Sequence, residues 1–388
     1  MDNNYNFDQH ISRAGTDAIK FDLRKAYFGN ENVIPMWVAD MDFPTPECIS
    51  EAVIQRAQHP IYGYTKVTDE YLEAVVAWQK NRHHWDIQKD WILFSPGIVP
   101  AVNFAIQAYT QKGDGIIVQP PVYFPFFSAV KDNDRTLLEN QLIYENGTYS
   151  IDFDNLETLA KSAKMLILSS PHNPVGRCFS KDELLKMGEI CLRNKVIILS
   201  DEIHNDLILP GYEHITTAAV SAEISAITVT CVAPTKTFNI AGLSSSSIII
   251  PNEELRKIFN DYLHRLHIMR GNLFGYVAAT AGYEKGGPWV DALMQYIKGN
   301  FDLVQSFIET ELPQLSLVKP ESTYLAWIDF TKTGYSDEEI KRKLIHEAGV
   351  GLSHGPTFGK GGEGFQRMNL ATNRDLVQQA LEKMASVF

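Results

Sequence analysis

The sequence of 388 residues has little cysteine, and its four cysteines, Cys48, Cys178, Cys191 and Cys231, lie far apart. No CxxC pair and no His/Cys cluster has the spacing of a zinc site, so we expect no metal and buried thiols in a reducing compartment. No run approaches the roughly 18 apolar residues of a membrane span. The N-terminus, MDNNYNFDQH, lacks the basic start and apolar stretch of a signal peptide, which predicts a cytoplasmic protein without a membrane partner.

Positive charge is also scarce. Lysine and arginine number 35 against 47 acidic residues, which gives a formal net charge of −12. A broad attraction to nucleic acid is therefore not expected, and any bound anion must be held by a local pocket. Hydrophobic residues make up 45% and charged residues 21%, close to the averages of folded globular proteins. At about 150 residues per domain, the length allows two or three domains.

The middle of the chain alternates short apolar runs with longer stretches of helical period, which is typical of βαβ units. The runs at 115–119, 165–169, 196–200 and 227–232 are mostly apolar on both faces, as buried parallel strands require. A capping box at 180–183 predicts a helix between the second and third run. The fold class predicted is therefore α/β, with a mostly parallel sheet flanked by helices.

Beyond residue 285 the alternation weakens, and the pattern predicts a smaller α+β domain. Its predicted helices are 289–311, 337–348 and 374–388, and its predicted strands are 315–318 and 323–330. The first 45 residues are predicted to be extended and irregular. We therefore divide the chain into a large domain, 46–285, and a second unit in which the N-terminal segment 1–45 joins the small C-terminal domain 286–388.

The segment SPGIVP, residues 95–100, opens a predicted helix whose apolar residues from Ile98 to Tyr109 are spaced four, four and three apart. Gly97 lies beside the start of this helix, where backbone N–H groups are unpaired and the helix dipole is positive. A phosphate group can bind at such an end. An ordinary loop before an ordinary helix is the alternative.

Three polar residues follow successive apolar runs: Asn173, Asp201 and Lys236. Ligands of parallel sheets collect at the carboxyl ends of the strands, so an amide, a carboxylate and an amine are expected at one edge. Together with a phosphate site, this set matches pyridoxal 5′-phosphate (PLP), which needs a lysine for its Schiff base and an acidic partner for its pyridine nitrogen. Taken singly, Lys236 is equally a solvated charge, Asp201 a helix cap and Asn173 a turn residue.

The motifs around these residues resemble those of the fold-type I PLP enzymes of the class I/II aminotransferase family. These motifs are SSPHNPVGR at 169–177, SDEIHND at 200–206 and APTKTFNIAGL at 233–243. The N-terminal part resembles one subgroup, the MalY/PatB-like cystathionine β-lyases or C–S lyases. That likeness is carried by NFDQHISRAGTDAIKFD at 6–22, MWVADMDFPTPE at 36–47 and YGYT at 62–65.

The resemblance implies a role for each matching residue at the cofactor ring. Lys236 forms the Schiff base, Asp201 pairs with the pyridine nitrogen, and Asn173 bonds the ring 3-hydroxyl. Tyr123, in PPVYFPF, stacks on the ring. His204 takes the position after the aspartate where many aminotransferases have tyrosine.

For the phosphate, the resemblance implies a cradle made by the backbone of Gly97, Ile98 and Val99. It also implies that Tyr64 reaches the phosphate of a neighbouring subunit, so a homodimer with shared active sites is expected. Arg367, in GFQRMNLA, matches the arginine that grips the substrate α-carboxylate, beside Asn173.

The sequence departs from the broad family at two phosphate positions. Many members have a serine three residues before the lysine and an arginine eight after it, where this chain has Ala233 and Ser244. Phosphate anchoring is therefore expected to depend on Thr235 and the helix end. At these two positions the sequence resembles the C–S lyases.

The function predicted is PLP-dependent β-elimination on a sulfur-containing L-amino acid such as cystathionine, giving a thiol, pyruvate and ammonia. A PLP-dependent aminotransferase, which uses the same residues, is the first alternative. A PLP-binding regulatory protein is an alternative of another class, although the acidic charge and the lack of a basic helix-turn-helix segment argue against direct DNA contact.

Overall fold

The structure is a computed structural model that describes residues 5–388, so the first four residues of the predicted N-terminal segment lie outside it. A seven-stranded sheet forms its centre. Six strands run in one direction, and Ser246–Ile249 runs antiparallel to both of its neighbours. In spatial order the strands are Ile92–Ser95, Ser246–Ile249, Thr228–Val232, Ile197–Asp201, Ala163–Ser169, Gly115–Val118 and Thr136–Glu139.

The four strands predicted from apolar runs are confirmed to within two residues, and so is the mostly parallel sheet. The strand Ser246–Ile249 was not predicted, because its buried serines lack the apolar signal. The hydroxyl of Ser246 donates to the carbonyl of Ser95 at 2.8 Å, and that of Ser247 lies 2.7 Å from the Tyr71 hydroxyl. Paired in this way, polar side chains occupy the sheet interior at little cost.

Helices cover both faces of this sheet, because successive strand residues point to opposite sides. Ile116 and Val118 pack with the helix Ile98–Tyr109, whereas Ile117 packs with the helix Lys181–Asn194. The capping box is confirmed at Ser180 and Glu183. The other helices of this part are Glu47–Ala57, Asp69–His83, Pro125–Asp132, Phe153–Ala160, Ala222–Ser225, Pro234–Thr237, Glu253–Arg265 and Leu273–Lys285.

The C-terminal part is α+β, as predicted, with a four-stranded antiparallel sheet. Its strands in spatial order are Ser316–Leu317, Leu325–Asp329, Phe365–Asn369 and Ser353–His354. Its helices are Gly287–Glu311, Asp337–Arg342 and Arg374–Ala385. The predicted helix 337–348 is present, but its second half, Lys343–Ala348, is π-helical. Within residues 5–388, no helix is both long and apolar enough to cross a bilayer.

The N-terminal segment contains more structure than predicted. Two short helices, Ile19–Asp22 and Arg24–Phe28, precede the strand Ile34–Pro35, which pairs in parallel with Val350–Gly351. A buried ion pair between Lys20 and Asp42, 2.8 Å long, holds the first helix in place. The pairing joins this segment to the C-terminal part, although the division at 46 and 285 stays a prediction. A hairpin of Ile143–Glu145 and Thr148–Ser150 completes the strands.

Candidate active site

Three polar residues predicted from sequence meet at one edge of the large sheet. Asp201 is the last residue of its strand, Asn173 lies four residues beyond the strand Ala163–Ser169, and Lys236 lies on the short helix that follows Thr228–Val232. These three strands are parallel neighbours, so their carboxyl ends lie side by side. The structure therefore brings the amide, the carboxylate and the amine together.

The amine of Lys236 is held by the backbone. It donates a hydrogen bond to the carbonyl of Ala39, which also accepts from the hydroxyl of Tyr324 at 2.9 Å. Burial lowers the pKa of Lys236 to about 8, against the opposing effect of the Asp40 carboxylate. A sizeable fraction of the amine is therefore uncharged slightly above neutral pH, as a nucleophile or base requires.

Asp201 is a buried carboxylate, 5% exposed. Its Oδ1 accepts a hydrogen bond from the backbone N–H of Ile203 at 3.1 Å. Burial raises its pKa, as does the neighbouring charge of Glu202, and the net pKa is about 7 despite the lowering effects of the Ile203 hydrogen bond and the Lys236 charge. Because burial disfavours the anion, a cationic group beside Asp201 is favoured.

Arg367 lies on the strand Phe365–Asn369 and reaches across to the large sheet. Its Nη1 donates to Oδ1 of Asn173 at 2.9 Å, and its Nη2 donates to the carbonyl of Trp37 at 3.0 Å and the hydroxyl of Ser353 at 3.2 Å. Its Nε is buried and has no partner within the described chain. An unpaired guanidinium N–H is costly unless a ligand accepts from it, and a carboxylate is the matching acceptor.

Two aromatic side chains border the same space. His204 is buried, and its Nδ1 has no partner among residues 5–388. Burial, together with the positive charges of Lys236 and Arg367, lowers its pKa to about 3, so the ring is neutral. Burial raises the pKa of Tyr123, whose hydroxyl also feels the charges of Arg367 and Asp201. Both residues therefore lie at the predicted site.

The predicted phosphate cradle is a helix N-terminus. Gly97 is the N-cap of the helix Ile98–Tyr109, so the N–H groups of Ile98 and Val99 belong to its first turn. The hydroxyl of Ser95 donates to the carbonyl of Gly97 at 2.8 Å and fixes this turn. Thr235 lies one residue before Lys236 and is 9% exposed.

Tyr64 is the one predicted site residue that a single chain leaves in the open. It lies between the helices Glu47–Ala57 and Asp69–His83 and is fully exposed. Its predicted position in a neighbouring subunit's site stays a prediction.

The contact between the segment 37–42 and the side chain of Lys236 was not predicted from the sequence. The carbonyls of Trp37 and Ala39 bind Arg367 and Lys236, and a backbone contact leaves no signal in the side-chain pattern. Asp40 was missed as well. Its Oδ2 accepts from Arg13 at 2.6 Å, while its buried Oδ1 has no partner in the part of the chain described here. The motif at 36–47 was the available signal, since it contains all three residues.

The donor set fits PLP. The aldehyde requires an amine of lowered pKa, the pyridine nitrogen a buried carboxylate, and the phosphate a helix N-terminus. Lys236, Asp201 and Gly97 with its helix supply these groups. The Nε–H of Arg367, unpaired within residues 5–388, is not used by this set and is left as a donor for a further anion.

The chain belongs to the aminotransferase class I and II family, whose model matches residues 31–384. It is 44% identical over 381 residues to cystathionine beta-lyase PatB of Bacillus subtilis strain 168, covering 98% of each chain. A PLP-bound protein of Clostridium difficile 630 superposes with a TM-score of 0.98 at 43% identity, covering 99% of this chain and 100% of that one. Cystalysin of Treponema denticola, which contains PLP, gives 0.96 at 40% identity, with 99% and 98% covered. The predicted family and fold are confirmed.

The lowered pKa of Lys236 gives a first testable prediction. In the cofactor-free chain, acylation of Lys236 by an amine-specific reagent should rise with a midpoint near pH 8, because burial lowers its pKa to about 8. Asp40→Asn should move the midpoint lower, since the carboxylate that raises this pKa is removed. Peptide mass spectrometry across pH measures both. Asp302→Asn, at an exposed carboxylate paired with Lys298, is the matched control and should change nothing. A midpoint near 10.5, the ordinary value, contradicts the burial argument.

Proposed function

We propose that this protein is a PLP-dependent carbon–sulfur lyase that acts on sulfur-containing L-amino acids of the cystathionine type, releasing a thiol, pyruvate and ammonia. The observation that carries the proposal is the arrangement of Lys236, Asp201 and Arg367 around one space at the sheet edge. The near full-length likeness to PatB of Bacillus subtilis selects the lyase reaction among those this site supports.

In this proposal the site residues hold the cofactor by its three functional parts. Lys236 binds it covalently, Asp201 pairs with the pyridine nitrogen, and Asn173 bonds the 3-hydroxyl. Tyr123 stacks on the ring, and His204, which is neutral and whose Nδ1 has no partner among residues 5–388, borders the same space.

The phosphate is held at the start of the helix Ile98–Tyr109. The N–H groups of Ile98 and Val99 beyond Gly97, together with Thr235, take the part that an arginine plays in many relatives. A helix N-terminus favours a doubly charged anion, so the loss of the arginine at Ser244 is compensated.

When bound, PLP supplies the electron sink for the pair left on the substrate Cα. The side chains of this chain then manage charge and protons. Arg367 binds the α-carboxylate through its free Nε side, and Asn173 fixes the guanidinium. This clamp orients the substrate so that the Cα–H bond faces Lys236.

Lys236 is proposed as the base that removes the Cα proton, after the amine of the substrate has taken its place on the cofactor and freed Nζ. Its lowered pKa makes Nζ available near neutral pH, and the carbonyl of Ala39 and the charge of Asp40 stabilise Nζ once it is protonated. Asp201, as an anion, keeps the pyridine nitrogen protonated. Departure of the sulfur from Cβ then follows from the electron pair on Cα.

We place the enzyme in the cytoplasm. All four cysteines are free, and Cys178, Cys191 and Cys231 are buried, which suits a reducing compartment.

Replacing Asp201 tests its proposed charge. Asp201→Asn keeps the size but removes the anion, and the loss of one preorganised electrostatic partner typically lowers the rate about 100 to 1000-fold. Steady-state kcat, measured with PLP occupancy checked by absorbance, reports the effect. Asp90→Asn, at an exposed carboxylate, is the control. Wild-type kcat in Asp201→Asn at full occupancy rules out the role.

The reaction itself is tested by turnover without a second substrate. With cystathionine alone, we expect pyruvate, ammonia and homocysteine over many turnovers, because elimination returns Lys236 to its starting bond with the cofactor. Thiol and pyruvate are assayed separately. An aminotransferase stalls after one turnover and restarts only when a 2-oxo acid is added. If the reaction stalls, restarts with a 2-oxo acid and releases no free thiol, the aminotransferase alternative is correct. Arg367→Ala is a control that should impair either reaction.

We also propose a homodimer in which Tyr64 reaches the partner's phosphate site. Three other apolar side chains within ten residues of it in sequence are also exposed, since Ile54, Ile61 and Tyr62 are 60%, 67% and 57% exposed. A patch of this kind typically marks a protein interface. A second copy of this chain is the occupant that would bring Tyr64 into a site.

Mixed dimers test the shared site. Tyr64→Ala and Lys236→Ala chains should each be nearly inactive, yet a 1:1 mixture after subunit exchange should recover roughly a quarter of wild-type activity. Half of the random dimers are mixed, and each contains one intact site out of two. Activity after co-refolding measures the recovery, and mixing either variant with itself is the control. No recovery, with mixed dimers present by mass spectrometry, contradicts a shared site.

A further inference from the structure

The carboxylate of Asp206 forms a buried junction behind the site. Its Oδ1 accepts from Nε1 of Trp78 at 3.0 Å and from Nε2 of His83 at 2.9 Å. Its Oδ2 accepts from the hydroxyl of Thr237 at 2.7 Å. Nε of Arg82 lies 3.3 Å from Oδ1, and the Asp206 side chain is only 3% exposed. Donors of the protein therefore engage both oxygens of the Asp206 carboxylate.

This junction joins two segments that carry site residues. Thr237 directly follows Lys236 and ends the short helix Pro234–Thr237. Asp206 lies five residues after Asp201, on the loop that leaves the neighbouring strand. The bond between Asp206 and Thr237 therefore connects the loop that begins at the carboxylate to the helix that carries the amine.

The helix needs such an anchor. Four residues form a single turn, and a helix this short has no stability of its own in water. Its backbone–backbone bonds beyond the turn are local, from Phe238 N–H to the carbonyl of Pro234 and from Ile240 N–H to that of Thr235, while the hydroxyl of Thr45 donates to the carbonyl of Phe238. A hydrogen bond to an ionised acceptor is shorter and stronger than one between neutral groups, so the charge on Asp206 makes the anchor firm.

Keeping a buried charge is expensive unless it is paired. Burial raises the pKa of Asp206, but the opposing effects of His83, Arg82 and Thr237 are larger, and the net pKa lies below its ordinary value. The carboxylate is therefore ionised and fully partnered. A neutral residue could fill the same volume without the desolvation penalty of a buried charge. We therefore attribute the charge of Asp206 to the hydrogen bonds that it strengthens.

We propose that Asp206 is a positioning residue that, through the hydroxyl of Thr237, fixes the helix carrying Lys236 and thereby sets the lysine amine relative to Asp201 and the substrate. The expected effect of Asp206 on turnover rests on the proposed function. The expected effect of Asp206 on the position of Lys236 is independent of which reaction the site performs.

The test uses the full chain with PLP bound and the variant Thr237→Val, which has nearly the same shape but lacks the hydroxyl. We expect the pH midpoint of the visible absorbance of the Lys236-linked cofactor to rise by about half a unit or more, because a loosened Nζ reaches more polar surroundings. We expect kcat to fall about 10 to 100-fold, with KM little changed, because misplacement of about 1 Å has effects of this size.

Three further variants separate positioning from general damage. Thr237→Ser keeps the hydroxyl and should recover most of the loss. Thr230→Val makes the same change at a buried threonine whose hydroxyl has no partner in residues 5–388, and it should match wild type. Asp206→Asn should shift the midpoint and kcat in the same direction and at least as far, because it also removes the charge beside His83 and Arg82. In the Asp206→Asn chain, Thr237→Val should add little, because the link through Thr237 is already weakened.

The proposal is overturned if a folded Thr237→Val chain has the wild-type pH midpoint and the wild-type kcat. It is also overturned if Thr237→Val and Thr230→Val change these two quantities equally. Thermal unfolding of each variant reports folding, and Thr237→Ala carries the same expectation if the valine chain does not fold. A protein without lyase activity but with a shifted midpoint refutes the proposed function and supports the positioning role. If PLP does not bind, the acylation midpoint of Lys236 supplies the same comparison.

Discussion

The charged groups of the buried Asp201 and Arg367 and the half-buried Lys236 lie around one space, and the rest of the site is arranged to stabilise them. Burial lowers the pKa of the lysine to about 8 and raises that of the aspartate to about 7. Each group therefore needs an opposite charge or a hydrogen-bond partner, and the fold supplies only some of them. The unpaired N–H of Arg367 and the raised pKa of Asp201 mark where a carboxylate and a cationic ring nitrogen fit.

The N-terminal segment and the small C-terminal sheet supply site residues that the large sheet does not. Lys236 and Asp201 come from the large sheet, but the carbonyl that holds the amine comes from Ala39, and Arg367 comes from the strand Phe365–Asn369. The buried pair Lys20–Asp42 fixes the segment that contains Ala39. The site therefore lies where three parts of the chain meet, and the anchor at Asp206 aligns two of its loops from behind.

The sequence predicts those parts of the fold and site that have a local signal. Apolar runs mark the strands that precede Asn173, Asp201 and Lys236, and because the strands are parallel neighbours these residues must share an edge. The serine-rich strand Ser246–Ile249 lacks that signal, since its stability comes from partners distant in sequence. The hydrogen bond of Lys236 to Ala39 likewise leaves no signal in the sequence, because every residue has a backbone carbonyl. The proposed role of Tyr64 depends on a second copy of the chain, so neither the local sequence pattern nor the fold of one chain determines it.

In the proposed function, Lys236 and Asp201 hold PLP between them for chemistry at Cα. A crystal structure of the protein grown with PLP tests it most directly. We expect continuous electron density from Nζ of Lys236 to the cofactor, the ring nitrogen within hydrogen-bond distance of the Asp201 carboxylate, and the phosphate at the N-terminus of the helix Ile98–Tyr109. Cofactor density joined to another lysine, or a ring nitrogen facing away from Asp201, would contradict it.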